Sequence, residues 1–440
     1  MVSPRGGNTA TGCTLSRAMT EPVSLPTLGA LPGRAVRYLS TRGEAEPLDF
    51  RGAMLTGLAP DGGLYVPEVI PSLPRGWEKW SYQQAVTVAL TLFGAERVGP
   101  LVLEAASRFR HPEVAPLFPV GDRHVLELFW GPTLSFKDHA LQIVARMLDR
   151  EVGEQRTILG ATSGDTGSAA IEACRGRPNL RIVVLFPEGK VSEFQRRQMT
   201  TVDDPNVLAV AVDGTFDDCQ AMVKEAFGRH SGLLAFNSIN WARVAAQVGY
   251  YVYLAATMGE PFDVVVPTGN FGNVLSCWVA KQMGATIEDI TIANNANRGL
   301  ADLVTTGDMP ASEVTPTLAP AMDVMVPSNL ERFTDDPSRV FRAGYADDEE
   351  IIRTIAEVHD AHGYLLDPHT ATAWSVGGAM AGSRRQVVVA TAHPAKFGEA
   401  VERAIGRRPD PPPGFEGLAT APEHFEVIGA EASQLDRLLS

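Results

Sequence analysis

From residue 122 onward, apolar positions fall into short unbroken runs, each closed by a glycine-rich or hydroxyl-rich turn and followed by a stretch with helical spacing. The runs at 125–129, 157–162, 181–186, 207–212, 263–266, 290–293 and 386–390 are rich in β-branched residues, the pattern of parallel strands buried on both faces. Helical spacing occupies 168–174, 216–227, 241–257, 274–283 and 348–362. Such alternation predicts an α/β fold with parallel sheets, whose ligands collect where strands end and helices begin. Upstream, 48–55, 78–93 and 96–109 carry helical spacing without strands between them. The organisation expected is a mostly helical N-terminal unit over 35–121, one α/β region over 122–262, and a second over 263–440 that ends in helices.

The first 34 residues lack both patterns. They are rich in Gly, Pro, Ser and Thr with no apolar segment, and read as a disordered extension, with a transit peptide as the alternative. Across the 440 residues, 45% are hydrophobic and 20% charged, with a net charge of -14. That acidic balance argues against a nucleic-acid partner. No run of about 18 apolar residues occurs, which argues against a membrane span. Cys13, Cys174, Cys219 and Cys277 are widely separated, which suits reduced thiols in a cytoplasmic protein and gives no metal-ligand spacing.

Candidate chemistry lies at the predicted strand ends. Segment 161–167 (Ala161, Thr162, Ser163, Gly164, Asp165, Thr166, Gly167) leaves backbone N–H groups free at a helix start, a geometry that suits a carboxylate. A plain turn capped by Asp165 or Thr166 is the other reading. Segment 266–273, with Gly269, Asn270, Phe271 and Gly272, repeats the arrangement. It matches neither a Walker loop nor G-x-G-x-x-G, so a monophosphate stays open beside an empty glycine turn. Lys137 has Leu134 and Phe136 as apolar neighbours, which would favour the free amine that attacks aldehydes; a surface lysine paired with Asp138 is the alternative. Thr391 closes a strand with a hydroxyl, and His393 reads either as a general base or as a structural hydrogen-bonding residue. Arg243 follows Asn240 at a helix entry and can grip a phosphate bidentately; the other reading is a capping segment with Asn240 as N-cap of the Trp241 helix, and the two need not exclude each other. Lys190 and Ser192 add a cation and a hydroxyl at another strand end.

In this linear order the segments resemble the threonine synthase family in its longer bacterial and fungal form, a group of fold type II pyridoxal 5'-phosphate (PLP) enzymes. The resemblance runs from Arg37 to about Phe397 and also takes in 38–43, 61–67 and 321–323. It implies a fold like the tryptophan synthase β chain, with a large and a small parallel-sheet domain. It further implies that Lys137 is the Schiff-base lysine and catalytic base, that Gly269, Asn270, Phe271 and Gly272 surround the cofactor phosphate, that Thr391 faces the pyridine nitrogen, and that Asp165 lies near the phenolic oxygen. Thr162, Ser163, Gly164 and Thr166 would receive the substrate carboxylate. Lys190, Ser192, Asn240 and Arg243 would hold its phosphate. The implied reaction turns O-phospho-L-homoserine and water into L-threonine and phosphate, a carbon–oxygen lyase step of threonine biosynthesis, and a homodimer suits the fold. Arg298 stands where relatives carry an acid, and Thr268 and Asn273 where Ser and Asp are frequent. These exchanges keep two rivals open: a related enzyme acting on another γ-activated amino acid, and a catalytically idle binding protein.

Overall fold

The computed structural model describes residues 36–311 and 313–439; the reading of residues 1–34, and Cys13 with it, lies outside them. The described chain opens with β1 (Tyr38–Ser40), antiparallel to β2 (Tyr65–Pro67). Helices Phe50–Thr56, Tyr82–Leu92 and Gly99–Ala106 follow before the first strand of the larger sheets. Ser81 and Gln84 form a reciprocal capping box at the second of them, which is why that helix starts later than the apolar spacing suggested. The same helix packs on Trp241–Met258. There a Cβ on Gly249 would stand 2.5 Å from Val86 Cα, so only glycine permits the approach.

Eleven further strands follow. They are β3 (Leu117–Val120), β4 (Arg123–Glu127), β5 (Arg156–Ala161), β6 (Leu180–Pro187), β7 (Val207–Asp213) and β8 (Leu233–Ala235). Then come β9 (Phe262–Pro267), β10 (Ile287–Asn294), β11 (Phe341–Tyr345), β12 (Gln386–Ala390) and β13 (Glu426–Gly429). Six form a sheet in the order β11-β10-β9-β12-β4-β3, and five form a second in the order β13-β7-β6-β5-β8. All seven predicted strands are present. Pairing is parallel in both sheets except at β3, which runs antiparallel to β4 along one edge. The sheets draw on distant stretches of chain: β12 lies between β9 and β4, while β13, near the C-terminus, returns to β7.

Strands β9 and β12 are buried at every position, with Val125, Val265 and Val388 in one core and Val183, Leu185 and Val210 in the other. Helix Lys137–Glu151 is buried at every position from Lys137 to Leu148. Its apolar Leu141, Val144 and Leu148 fall at helical spacing, and its polar Asp138, His139, Gln142 and Arg146 are buried as well. Among the described residues no helix is long and apolar enough to cross a membrane. Cys174, Cys219 and Cys277 are free and buried.

Candidate active site

Strands β5, β6, β8, β9 and β12 end at a common cleft of about 1970 Å³. Lys137 is the first residue of its helix, and the backbone before it is pinned to the end of β12, Phe136 N donating to Thr391 O at 2.9 Å. Its side chain is 11% exposed and its Nζ lies 3.6 Å from Asp165 Oδ2. Burial, aided by the positive charges of Lys396 and Arg243, holds the amine below the ordinary lysine range despite Asp165. The surface pairing with Asp138 does not occur. Asp138 is itself buried and accepts from Thr133 N at 2.9 Å and Thr133 Oγ1 at 2.8 Å, and burial pushes its carboxyl up to about 6.

The β5 turn is built by Thr162, whose Oγ1 accepts from Gly164 N at 3.0 Å and Gly167 N at 2.8 Å. Thr162 therefore shapes the loop with its hydroxyl oxygen, and Gly164 spends its N–H inside the loop. Asp165 and Thr166 open helix Asp165–Cys174, so their amides have no intrahelical acceptor. With Ser163 they border the cleft. Burial alone would raise the Asp165 carboxyl, but Lys396 and Lys137 outweigh it and keep the group an anion well below the usual range.

In the β9 turn, a Cβ on Gly269 would meet Ala321 O at 2.3 Å. Phe271 sits at φ 62° as N-cap of helix Gly272–Gln282, a conformation rare for a bulky residue. Its ring is buried against Phe333 and Phe341, while the helix N-terminus opens on the cleft. Asn270 Oδ1 accepts from Ser328 N at 2.5 Å, and Asn270 O from Asn329 Nδ2 at 3.0 Å. Strained backbone kept beside free helix amides is the mark of an anion site.

Among the residues expected at a substrate phosphate, Arg243, Lys190 and Ser192 line the cleft. Arg243 is 3% exposed, and its Nε has no hydrogen-bond partner. Burial pushes this guanidinium down to about 10, so a charged donor stands in the cleft without a counter-ion. Ser192 instead caps helix Glu193–Thr200 and lies 2.9 Å from Gln195 Oε1. Asn240 takes its capping reading and not the phosphate one: it is buried outside the cleft lining, its amide donating to Met54 O at 2.8 Å and its oxygen capping Ala242 N at 3.0 Å. Both ends of that side chain are used by the fold.

His393 takes its structural reading. Its Nδ1 accepts from Ala395 N at 3.1 Å, its ring lies edge-on to Phe129, and burial pushes it down to about 4. Arg298 does not line the cleft. It pairs with Asp302 at 3.2 Å and covers the Tyr345 ring. Arg298→Asp should therefore leave KM for an amino-acid phosphate within about threefold, in line with the small effect of most surface substitutions; a larger change in steady-state assays would return Arg298 to the site. Asn273 accepts from Tyr250 at 2.6 Å and Tyr251 at 2.8 Å, and Thr268 Oγ1 donates to Val266 O at 2.8 Å, so both exchanges serve internal contacts.

The structure adds residues that the sequence reading left unassigned. Lys396 is 1% exposed, its Nζ 2.7 Å from Asp165 Oδ1 and 2.8 Å from Thr133 O. Gln195 Nε2 donates to the same Asp165 oxygen at 2.6 Å. Behind the β9 turn, His369 bridges Asp367 Oδ1 at 2.8 Å and Ala321 N at 3.2 Å, fixing the segment that Gly269 touches. Lysine between Ala395 and Phe397 was the one visible signal, since apolar neighbours on both sides are unusual for a surface lysine.

A buried amine shifted below the ordinary lysine range, free amides at a helix N-terminus, a hydroxyl at Thr391 and a buried guanidinium with an unpartnered Nε fit PLP and an anionic amino acid. That arrangement on two parallel sheets defines a PLP-dependent enzyme of fold type II. The Pyridoxal-phosphate dependent enzyme family matches residues 126–392, Threonine synthase N terminus matches 37–105, and Threonine synthase, C-terminal matches 370–438. Threonine synthase from Pseudomonas aeruginosa is 38% identical over 92% of this chain and 98% of its own length. PLP-bound threonine synthase from Brucella melitensis superposes with a TM-score of 0.88 at 40% identity, covering 92% of this chain and 99% of that one. Threonine synthase-like 2 from Rattus norvegicus is 35% identical over 89% of this chain and 92% of its own. The chain belongs to the threonine synthase family.

Proposed function

We infer that this protein is a PLP-dependent lyase that converts O-phospho-L-homoserine and water to L-threonine and phosphate. The observation that carries the reading is the meeting of Lys137, the β5 turn, the β9 turn and Arg243 in one cleft. The amides of Gly272 and its neighbours would hold the cofactor phosphate, Thr391 would face the pyridine nitrogen, and Lys137 would carry the cofactor. When bound, PLP supplies an aldehyde for amines and an electron sink for charge developing at the substrate α-carbon.

The chain's own residues then act in order. The Asp165 and Thr166 amides, with Ser163, orient the substrate carboxylate at the helix N-terminus. The Lys137 amine, once free, would remove the α-proton as general base. A β-proton must leave next, so that its electron pair expels the γ-phosphate; Arg243, helped by Lys190, would bind that phosphate and favour its departure as an anion. Water then adds at the β-carbon to give threonine. Leu58, Val326 and Phe227 stand exposed at the mouth of the cleft, which supports closure over the substrate and control of water entry.

The expected result for purified protein given PLP and O-phospho-L-homoserine is threonine and phosphate in equal amounts. Phosphate without threonine, or faster turnover of another γ-substituted amino acid, would move the substrate assignment to the rival enzyme. No turnover of either would favour an idle binder. The buried thiols support a reducing, cytoplasmic setting, and the charge of -14 supports a life without nucleic acid. Fluorescence imaging of a tagged chain and gel-shift assays test these two points. A homodimer is proposed on the prevalence of two-fold assemblies; a sedimentation mass of one chain would count against it.

A further inference from the structure

The assigned chemistry uses one lysine, yet two meet the same carboxylate. Asp165 takes Lys396 and Gln195 on Oδ1, at 2.7 Å and 2.6 Å, and leaves Oδ2 to Lys137 at the longer distance of 3.6 Å. Lys396 has no solvent-exposed side-chain surface, against 11% for Lys137. It comes from the turn Pro394–Phe397, beyond β12, and reaches across to Thr133 and Asp165. The cleft therefore contains a buried carboxylate whose stronger contacts point away from the reactive amine.

That asymmetry has a chemical consequence. An unshared carboxylate beside Lys137 would close on it as a full ion pair and keep it protonated, and an ammonium neither attacks an aldehyde nor accepts a proton. We propose that Lys396 is a positioning residue, which engages one oxygen of Asp165 so that the carboxylate orients Lys137 without locking it as an ammonium. The proposal rests on Lys137 being the cofactor-binding lysine. Other charged groups facing this cluster are Arg243 beside Lys137, and Asp138 and His393 beside Lys396. None of them is hydrogen-bonded to Asp165.

Lys396→Met should be tolerated by the fold. Thr133 O keeps Gln198 Nε2 at 3.1 Å, and Asp165 keeps Gln195. The test is a titration of Lys137 by its 13Cε resonance in the full-length chain freed of cofactor, with the signal identified by its loss in Lys137→Ala. In Lys396→Met the Lys137 midpoint should rise by about one pH unit or more, the size expected of a close opposite charge. In an Asp165→Asn background the same substitution should move it by less than half as much. Equal shifts in both backgrounds, or none in the first, would overturn the proposal.

Should the single variant fail to fold, the double variant Asp165→Asn with Lys396→Met still decides. It removes both charges of the Asp165–Lys396 pair together, so that of the three charges in the cluster only Lys137 remains to titrate. Its Lys137 midpoint should stay within about half a pH unit of wild type, a small electrostatic difference; a displacement beyond about one unit would overturn the idea. Cofactor attachment is read separately, by the chromophore, so failure here is distinguishable from failure of the Lys137 assignment.

Discussion

Lys137→Ala is expected to abolish the yellow colour that PLP gives when joined to the protein and to lower kcat by about 10³-fold or more, because under the proposed function one side chain would serve as both attachment point and base. The loss should be chemical and not structural. Asp165 keeps Lys396 and Gln195 in the variant, and burying a lysine amine is costly in the first place, so the melting temperature of the cofactor-free protein should change little. Absorbance spectra and single-turnover assays check the first part and calorimetry the second. A variant that keeps the colour would move attachment to another lysine, and Lys396 would be the first to examine.

Arg243→Gln is expected to act in opposite directions on binding and stability. A charge-assisted bond to a buried anion contributes about 2–3 kcal/mol, which corresponds to about 30- to 150-fold in KM for the amino-acid phosphate. Without ligand the guanidinium is a buried charge with an unpartnered Nε. Removing it should leave the cofactor-free melting temperature unchanged or higher, since an uncompensated buried ion is destabilising. Steady-state kinetics and thermal melts read the two effects. A fall in melting temperature with unchanged KM would show Arg243 to be a structural clamp on Phe236 O, which its Nη1 approaches at 3.4 Å.

Legibility from the sequence followed burial and distance. Helix Asp348–His362 was read at its true bounds because its charged face alternates with Ile351, Ile355 and Val358. Helix Lys137–Glu151 went unread although Leu141, Val144 and Leu148 carry the helical period, because its first residue reads as a site lysine and not as a helix start. Strands β8, of three residues, and β13, near the chain end, are too short to signal alone and are recruited by neighbours already in place. Asn240 left two readings open for a related reason: a capping asparagine and a ligand-binding one look alike until Met54, far back in the chain, claims the amide.

By itself the sequence determined the alternation of strand and helix, the glycine turns after β5 and β9, and a family pattern strong enough to point to PLP. Those features are local: apolar period, turn chemistry and residue order are written in neighbouring positions. Tertiary structure alone decided which side chains share the cleft and what charge each feels there. Lys137 faces Asp165 instead of its neighbour Asp138, Lys396 arrives from the far side of β12, and Arg298 turns away toward Asp302. Electrostatic energy depends on distance through space and on exclusion of water, and neither quantity is carried by position along the chain.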